Sequence, residues 1–111
     1  MKRTFRLTLS KDIQRVKHEG KSISHPLLVM VFAMNDLPHN RFAFIASKAI
    51  GGAVQRNRAK RRMRALIASY RPSMKPGYDM IFIARQSLQQ ADHPALQAAV
   101  QELLEKAELL N

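Results

Sequence analysis

The sequence has no cysteine, no tryptophan, only 4 Gly and 5 Pro, and 8 acidic residues against 19 Lys plus Arg. Without cysteine there is no disulfide framework, no thiolate nucleophile and no Cys-ligated zinc or iron–sulfur site. Long apolar runs are missing too: the longest, residues 27–34, is far short of the ~20 residues that a membrane-spanning helix needs. The basic start Met1-Lys2-Arg3-Thr4-Phe5-Arg6 leads into Ser10-Lys11-Asp12 instead of an apolar signal core. A cytoplasmic protein without a membrane segment is the expectation.

What is present suffices for one core. Of 111 residues, 46% are hydrophobic, there is no low-complexity tract, repeat or linker, and the length suits a single domain over residues 1–111. The formal charge of +11 points to a polyanionic partner, and it is unevenly spread. Residues 1–21 hold seven bases and two acids, residues 22–78 ten bases and one acid, and residues 79–111 two bases and five acids. Between Asp36 and Asp79 no acid occurs at all, so the middle of the chain is suited to phosphate contact.

Local patterns predict the order α-β-β-α-β-α. Ser10 is placed to cap a first helix that runs through Ile13 and Val16 and stops at Gly20, a residue suited to a left-handed C-terminal position. Leu27–Met34 reads as a strand, residues 35–40 as a hairpin loop, and Arg41–Lys48 as a second strand paired with the first. After Gly51-Gly52, the positions Ala59, Met63, Leu66, Ile67 and Tyr70 follow an amphipathic helical pattern over 53–70. Tyr78–Ala84, apolar on both parities, reads as a central strand. Asp92 caps a last helix with Pro94 in its first turn and Leu96, Val100, Leu103, Ala107 and Leu110 as its core stripe. The expected fold is a single-domain α+β sandwich with a small mixed sheet.

Residues 56–64 read Arg-Asn-Arg-Ala-Lys-Arg-Arg-Met-Arg, six bases in nine positions on one helix. Like charges at i, i+4 destabilise a helix by about 0.2–0.5 kcal/mol a pair, so a counter-charge outside the fold is expected to offset them. At 100° per residue, Asn57, Arg61 and Arg64 project opposite the core stripe, flanked by Arg58 and Lys60. Arginine forks grip phosphate oxygens and lysine supplies point charge, which makes this a salt-sensitive nucleic-acid surface. Gly51-Gly52 serves either as a backbone approach to phosphate or as a plain strand-to-helix turn. His18, His25, His39 and His93 lie in separate segments and suggest no metal site. Phe42, Phe44 and Phe82 read as core and Phe5 as the better base-stacking candidate, while Glu102, Glu105 and Glu108 form a solvated face. Asp36 and Asp79, the only acids in the middle of the chain, fall short of the carboxylate cluster of a two-metal nuclease, so no catalytic side chain is expected.

The run from Ser47-Lys48 through Gly51-Gly52 to Arg56-Asn57-Arg58-Ala59-Lys60-Arg61-Arg62-Met63-Arg64 resembles the signature of the bacterial ribonuclease P protein subunit. In that family a strand ending in Ser-Lys turns through Gly into a helix bearing Arg-Asn-Arg-x-Lys-Arg-x-x-Arg. Phe5-Arg6-Leu7, residues 12–20, Arg41-Phe42-Ala43-Phe44 and Asp79–Arg85 extend the likeness over nearly the whole chain. The resemblance implies an accessory subunit of a ribonucleoprotein whose catalytic RNA removes the 5′ leader of precursor tRNA, with one protein per RNA. It implies that Mg²⁺ is held chiefly by RNA and substrate phosphates, and none by protein side chains alone. It further implies a left-handed crossover around the motif helix. Arg56, Asn57, Arg58, Lys60, Arg61 and Arg64, with Ser47 and Lys48, would face the RNA. A cleft between the sheet and the first helix would hold the leader at Phe5, Ile13, Lys17 and Val31. Family members commonly carry aromatics where this chain has Ile13, Lys17 and Val31, so charge at Lys17 is expected to stand in for stacking. Ala49 and Gly52 stand where the family often has Lys and Asn. A structural RNA-binding protein of ribosomal type is the alternative reading, and a protein-only nuclease a third.

Overall fold

In the computed structural model, which describes all 111 residues, the elements are α1 (Ser10–Glu19), β1 (Lys21–Ser24), β2 (Leu28–Met34), β3 (Arg41–Ile45), α2 (Ala53–Tyr70), β4 (Tyr78–Ala84) and α3 (His93–Lys106). Short 3-10 turns occupy Arg3–Phe5, Lys48–Ile50, Arg71–Ser73 and Gln86–Gln90. The expected helices and strands are all present, and β1 is an addition. Its Lys-Ser-Ile-Ser sequence offers one apolar residue and no readable period.

The sheet order is β1-β2-β4-β3, with β2 antiparallel to both neighbours and β3 parallel to β4. The expected hairpin between β2 and β3 is therefore corrected: β4 lies between them. Hydrogen bonds made by the loop explain the insertion. Asn40 donates through Nδ2 to Lys75 O (2.9 Å) and accepts at Oδ1 from Tyr78 N–H (2.7 Å), while Asn35 N–H donates to Gly77 O (2.8 Å). These bonds fasten residues 75–78 across the β2–β3 loop, so β4 starts in the gap between the two strands. Being apolar on both faces, it fits there.

The β3–α2–β4 crossover is left-handed. Leu7 N–H donates to Phe42 O (2.8 Å), so the Phe42 carbonyl points away from β4, and the Phe42 side chain packs with Met63 and Ile67 on the helix face. For an L-residue in a strand running upward with its side chain toward the viewer, the carbonyl points right. With α2 in front, β4 then lies left of β3, against the hand found in about 98% of such connections.

One sheet face carries Met30, Phe32, Phe42, Met80 and Phe82 under α2 and α3. The other carries Val31, Ala43 and Ile81 under α1, with Leu7 and Val16. Two details of α1 differ from expectation. Ser10 is its first helical residue and makes no side-chain cap, the N-cap being Leu9. Gly20 is extended (φ −77°, ψ 165°), and its glycine is required by a close approach, since a Cβ would lie 2.4 Å from Val16 O and 2.7 Å from Phe32 O. In α3, Asp92 Oδ1 does accept from Ala95 N–H (2.9 Å), but the helix stops at Lys106. Ala107 is its C-cap, and Leu110 instead bridges to Met74.

Asp79, fully buried, joins these pieces. Its carboxylate accepts from Arg41 Nε (2.9 Å) and Nη2 (2.8 Å), Arg15 Nη2 (2.5 Å) and Asn35 Nδ2 (2.8 Å). Arg15 also donates to Met34 O at 3.4 Å, and Arg41 lies 3.6 Å from Asp12. One carboxylate thus binds α1, the end of β2, the following loop and β3 to β4. Burial alone would raise the Asp79 pKa, but hydrogen bonds from Arg41 and Asn35, with the charges of Arg41 and Arg15, outweigh it and hold it below 3.8. A depressed folded-state value gives stability above the unfolded pKa that is lost as pH falls through the folded one. Asp79→Asn is expected to cost about 3 kcal/mol in urea unfolding at neutral pH, the lower end for a broken buried pair because both arginines keep some exposure. The difference from the parent should narrow only below about pH 4. Equal stability at neutral pH would contradict this role.

Candidate nucleic-acid interface

The basic helix is sorted by its azimuth. Ala59, Met63, Leu66 and Ile67 are buried toward the sheet, while Asn57, Arg58 and Arg61 are exposed on the outward side. Lys60 and Arg64 are half-buried on the flank nearer β3, and the Arg64 guanidinium sits 5.6 Å from the centre of the Phe44 ring. Phe44 is half-exposed and stacks on fully buried Phe82 (5.9 Å), so it joins core and cation surface. Arg56 falls on the core azimuth, three residues before Ala59 and seven before Met63, and is half-buried. Arg62 turns inward, donating to Leu88 O (2.9 Å) and Ala91 O (2.6 Å) and so tying α2 to the turn before α3. Its pattern position, outside the motif set, agrees with that inward use.

Ser47 and Lys48 are exposed in the turn that leads into α2. Gly51 has φ +140°, which side chains rarely adopt, and Gly52 is an N-cap without a side-chain acceptor. None of Lys48, Arg56, Arg58, Lys60, Arg61 and Arg64 enters an ion pair. Val54, 75% exposed in the first turn of α2, adds an apolar contact to this surface that the charge pattern did not reveal.

The cleft candidates separate. On α1, Asp12, Arg15 and Glu19 share one flank, which turns to the Asp79 cluster, whereas Ile13 and Lys17, an i, i+4 pair, lie on the opposite flank. Ile13 packs against the α1-side cluster and Lys17 is exposed. Val31 is only 7% exposed, in the register row Val31–Ile81–Ala43 that α1 covers, so it offers little surface. The next row, Val29–Ile83–Ile45, is half-exposed and forms the open floor. Strand alternation carried this signal, but it shows only once the register is known. Phe5 is apart from the cleft: it packs on the core of the other face, with Arg71 3.7 Å above its ring and His39 edge-on at 5.6 Å. Its π-face is already engaged by a cation.

No three His, Cys, Asp or Glu side chains gather to hold a metal ion, and Asp79 is surrounded by its own donors. No helix is long and apolar enough to cross a membrane.

An α+β domain with one acid-free cationic helix beside an open sheet face belongs to the class of basic nucleic-acid-binding domains. A family model described as Ribonuclease P matches residues 1–108. The ribonuclease P protein component of Roseiflexus castenholzii is 42% identical over 108 residues, covering 96% of this chain and 88% of that one. That of Dehalococcoides mccartyi is 37% identical over 111 residues, covering 100% and 91%. The solved ribonuclease P protein of Staphylococcus aureus superposes with TM-score 0.88 at 28% identity, covering 96% and 98% of the two chains. That of Thermotoga maritima gives 0.83 at 26%, covering 91% and 96%. The chain belongs to the ribonuclease P protein component family, the protein subunit of the tRNA 5′-processing enzyme.

The division of labour along α2 is testable by thermal unfolding. Arg62→Ala removes two hydrogen bonds to backbone carbonyls and should cost about 1.5–3 kcal/mol. Arg61→Ala, exposed among like charges, should leave stability within about 0.5 kcal/mol of the parent. The reverse ranking would refute the assignment of Arg62 as an anchor.

Proposed function

We propose that this chain binds the catalytic RNA of ribonuclease P through the outward face of α2, and the single-stranded 5′ leader of precursor tRNA in the cleft between α1 and the sheet. The observation that carries the reading is the set of six unpaired cations on and before α2, without an acid among them. Arg58 and Arg61 grip phosphates bidentately, Lys48 and Lys60 add point charge, and Arg56 and Arg64 extend the surface at either end. Asn57 and the Ser47 hydroxyl supply neutral hydrogen bonds to a base edge or a 2′-hydroxyl. Ile13 and Lys17 flank the leader. Val31, beneath α1, supports the floor, and Phe5 is locked by Arg71 as part of the scaffold.

Bond cleavage is the work of the RNA. Mg²⁺, held chiefly by RNA and substrate phosphates, supplies charge stabilisation and water activation there. The protein neutralises phosphates close to that centre, which lowers the Mg²⁺ needed for a folded RNA and a bound substrate. One chain per RNA acts in the cytoplasm.

Arg58→Ala or Arg61→Ala should weaken binding to ribonuclease P RNA and reduce the slope of log affinity against log salt by about 0.7–0.9 per lost phosphate contact. Unchanged affinity and slope in both would overturn the motif assignment. Lys17→Ala should weaken precursor tRNA binding by the holoenzyme more than mature tRNA binding; equal weakening would remove its leader role.

A further inference from the structure

Past the end of the basic motif, α2 carries one more arginine with free donors. Arg71 follows Arg64 by seven residues, which returns it to the same flank of the helix about 10.5 Å further along the axis. It is the C-cap of α2, its N–H donating to Ile67 O, and it opens the 3-10 turn Arg71–Ser73 that Pro72 stiffens. The guanidinium lies 3.7 Å from the centre of the Phe5 ring, in contact with the ring face. Phe5 is itself fixed: it packs on the core of the α2 side, His39 meets its ring edge-on at 5.6 Å, and Leu7 N–H donates to Phe42 O at 2.8 Å two residues later.

Arg15, Arg41 and Arg62, also half-buried, direct their donors to Asp79 or to backbone carbonyls. Arg71 is half-buried too, yet it makes no ion pair and no side-chain hydrogen bond. A guanidinium stacked by its face keeps its N–H donors around its rim, in one plane. Partly withdrawn from water, fixed in direction and unmatched, these donors suit a phosphate oxygen pair. Between Arg64 and Arg71 the accessible positions of α2 are Ala65, Ala68 and Ser69, short enough for a nucleic-acid backbone to come close. The carbonyls at this end of α2 repel a phosphate, and the Arg71 charge offsets them.

We propose that Arg71, held on Phe5, binds a backbone phosphate of ribonuclease P RNA outside the motif, with Phe5 as its positioning residue. The proposal rests on the RNA-binding reading of α2 above and lengthens that surface to run from Arg56 to Arg71, about 22 Å of helix. Phe5 and Arg71 stand on the α2 side of the sheet with the motif, whereas the cleft opens on the α1 side, so the partner is the catalytic RNA and not the leader. A guanidinium already aimed by an aromatic ring loses less freedom on binding than a free one.

The test measures binding of the full chain to bacterial ribonuclease P RNA over a salt series, at a temperature where thermal unfolding shows every variant folded. Arg71→Gln, which keeps a stem on the ring and loses the charge, should weaken binding roughly five- to tenfold and lower the slope of log affinity against log salt by about 0.7–0.9. Arg71→Lys should keep the slope and recover part of the loss. Phe5→Leu should weaken the parent roughly two- to fivefold but add nothing to Arg71→Gln, because the ring acts through Arg71 alone. Lys106→Ala, the same loss of charge on α3, should bind within about twofold of the parent. Unchanged affinity and slope in Arg71→Gln would overturn the proposal, as would an equal loss in Lys106→Ala. A Phe5→Leu loss of the same size in both backgrounds would overturn it too, marking a clasp for the N-terminal segment. So would an Arg71→Gln effect confined to precursor tRNA binding by the holoenzyme. A parent protein that fails to bind ribonuclease P RNA would instead overturn the reading on which the proposal rests.

Discussion

The buried carboxylate of Asp79 sets the geometry on which both proposed RNA-facing surfaces depend. Four donors from Arg15, Arg41 and Asn35 converge on it, and they arrive from α1, β3 and the loop after β2. Because Arg15 draws one flank of α1 toward the start of β4, the helix covers the rows of Asp79 and Ile81 and stops short of the row of Ile83. The cleft exists because α1 is held off-centre. An apolar contact would offer no such direction, whereas a bidentate arginine fixes angle as well as distance.

The strand β3 separates the two surfaces and connects them. Phe44 turns to the α2 side, stacks on Phe82 and carries Arg64 over its ring, while Ile45 turns to the open floor. The left-handed crossover brings the cationic helix back over this same edge of the sheet. In the proposed arrangement, an RNA core bound on α2 and a single strand lying in the cleft would be neighbours across one strand. The charge crowded on α2 weakens the isolated domain, which Arg62 counters by its bonds to Leu88 and Ala91. Phosphate bound on the proposed surface would offset that repulsion.

Much of this was legible in the residues. The span of α2, the bounds of β4 and the Asp92 cap follow from local period and capping chemistry. Strand order was not, because adjacency in the chain favours a β2–β3 hairpin and the side chains that prevent it, Asn35 and Asn40, read as ordinary loop polar residues. The same holds for Asp79, which stood out in the sequence as an isolated acid and proved to be the joint of the fold. On α2 the helical period separated core from cations but left Arg62 unexplained until its carbonyl partners were known. The cleft was the least readable part: Val31 and Val29 differ by one register row, and only the reach of α1 decides which is open. Phe5 looked free because its partner, Arg71, is 66 positions away in the chain.

The central claim is that the chain assists an RNA catalyst and does no bond cleavage itself. The most direct measurement is cleavage of precursor tRNA at low Mg²⁺ by the purified protein alone, by bacterial ribonuclease P RNA alone, and by the two together. The account predicts cleavage at the mature 5′ end only when both are present. Cleavage by the protein alone, or no stimulation of the RNA by the protein, would contradict it.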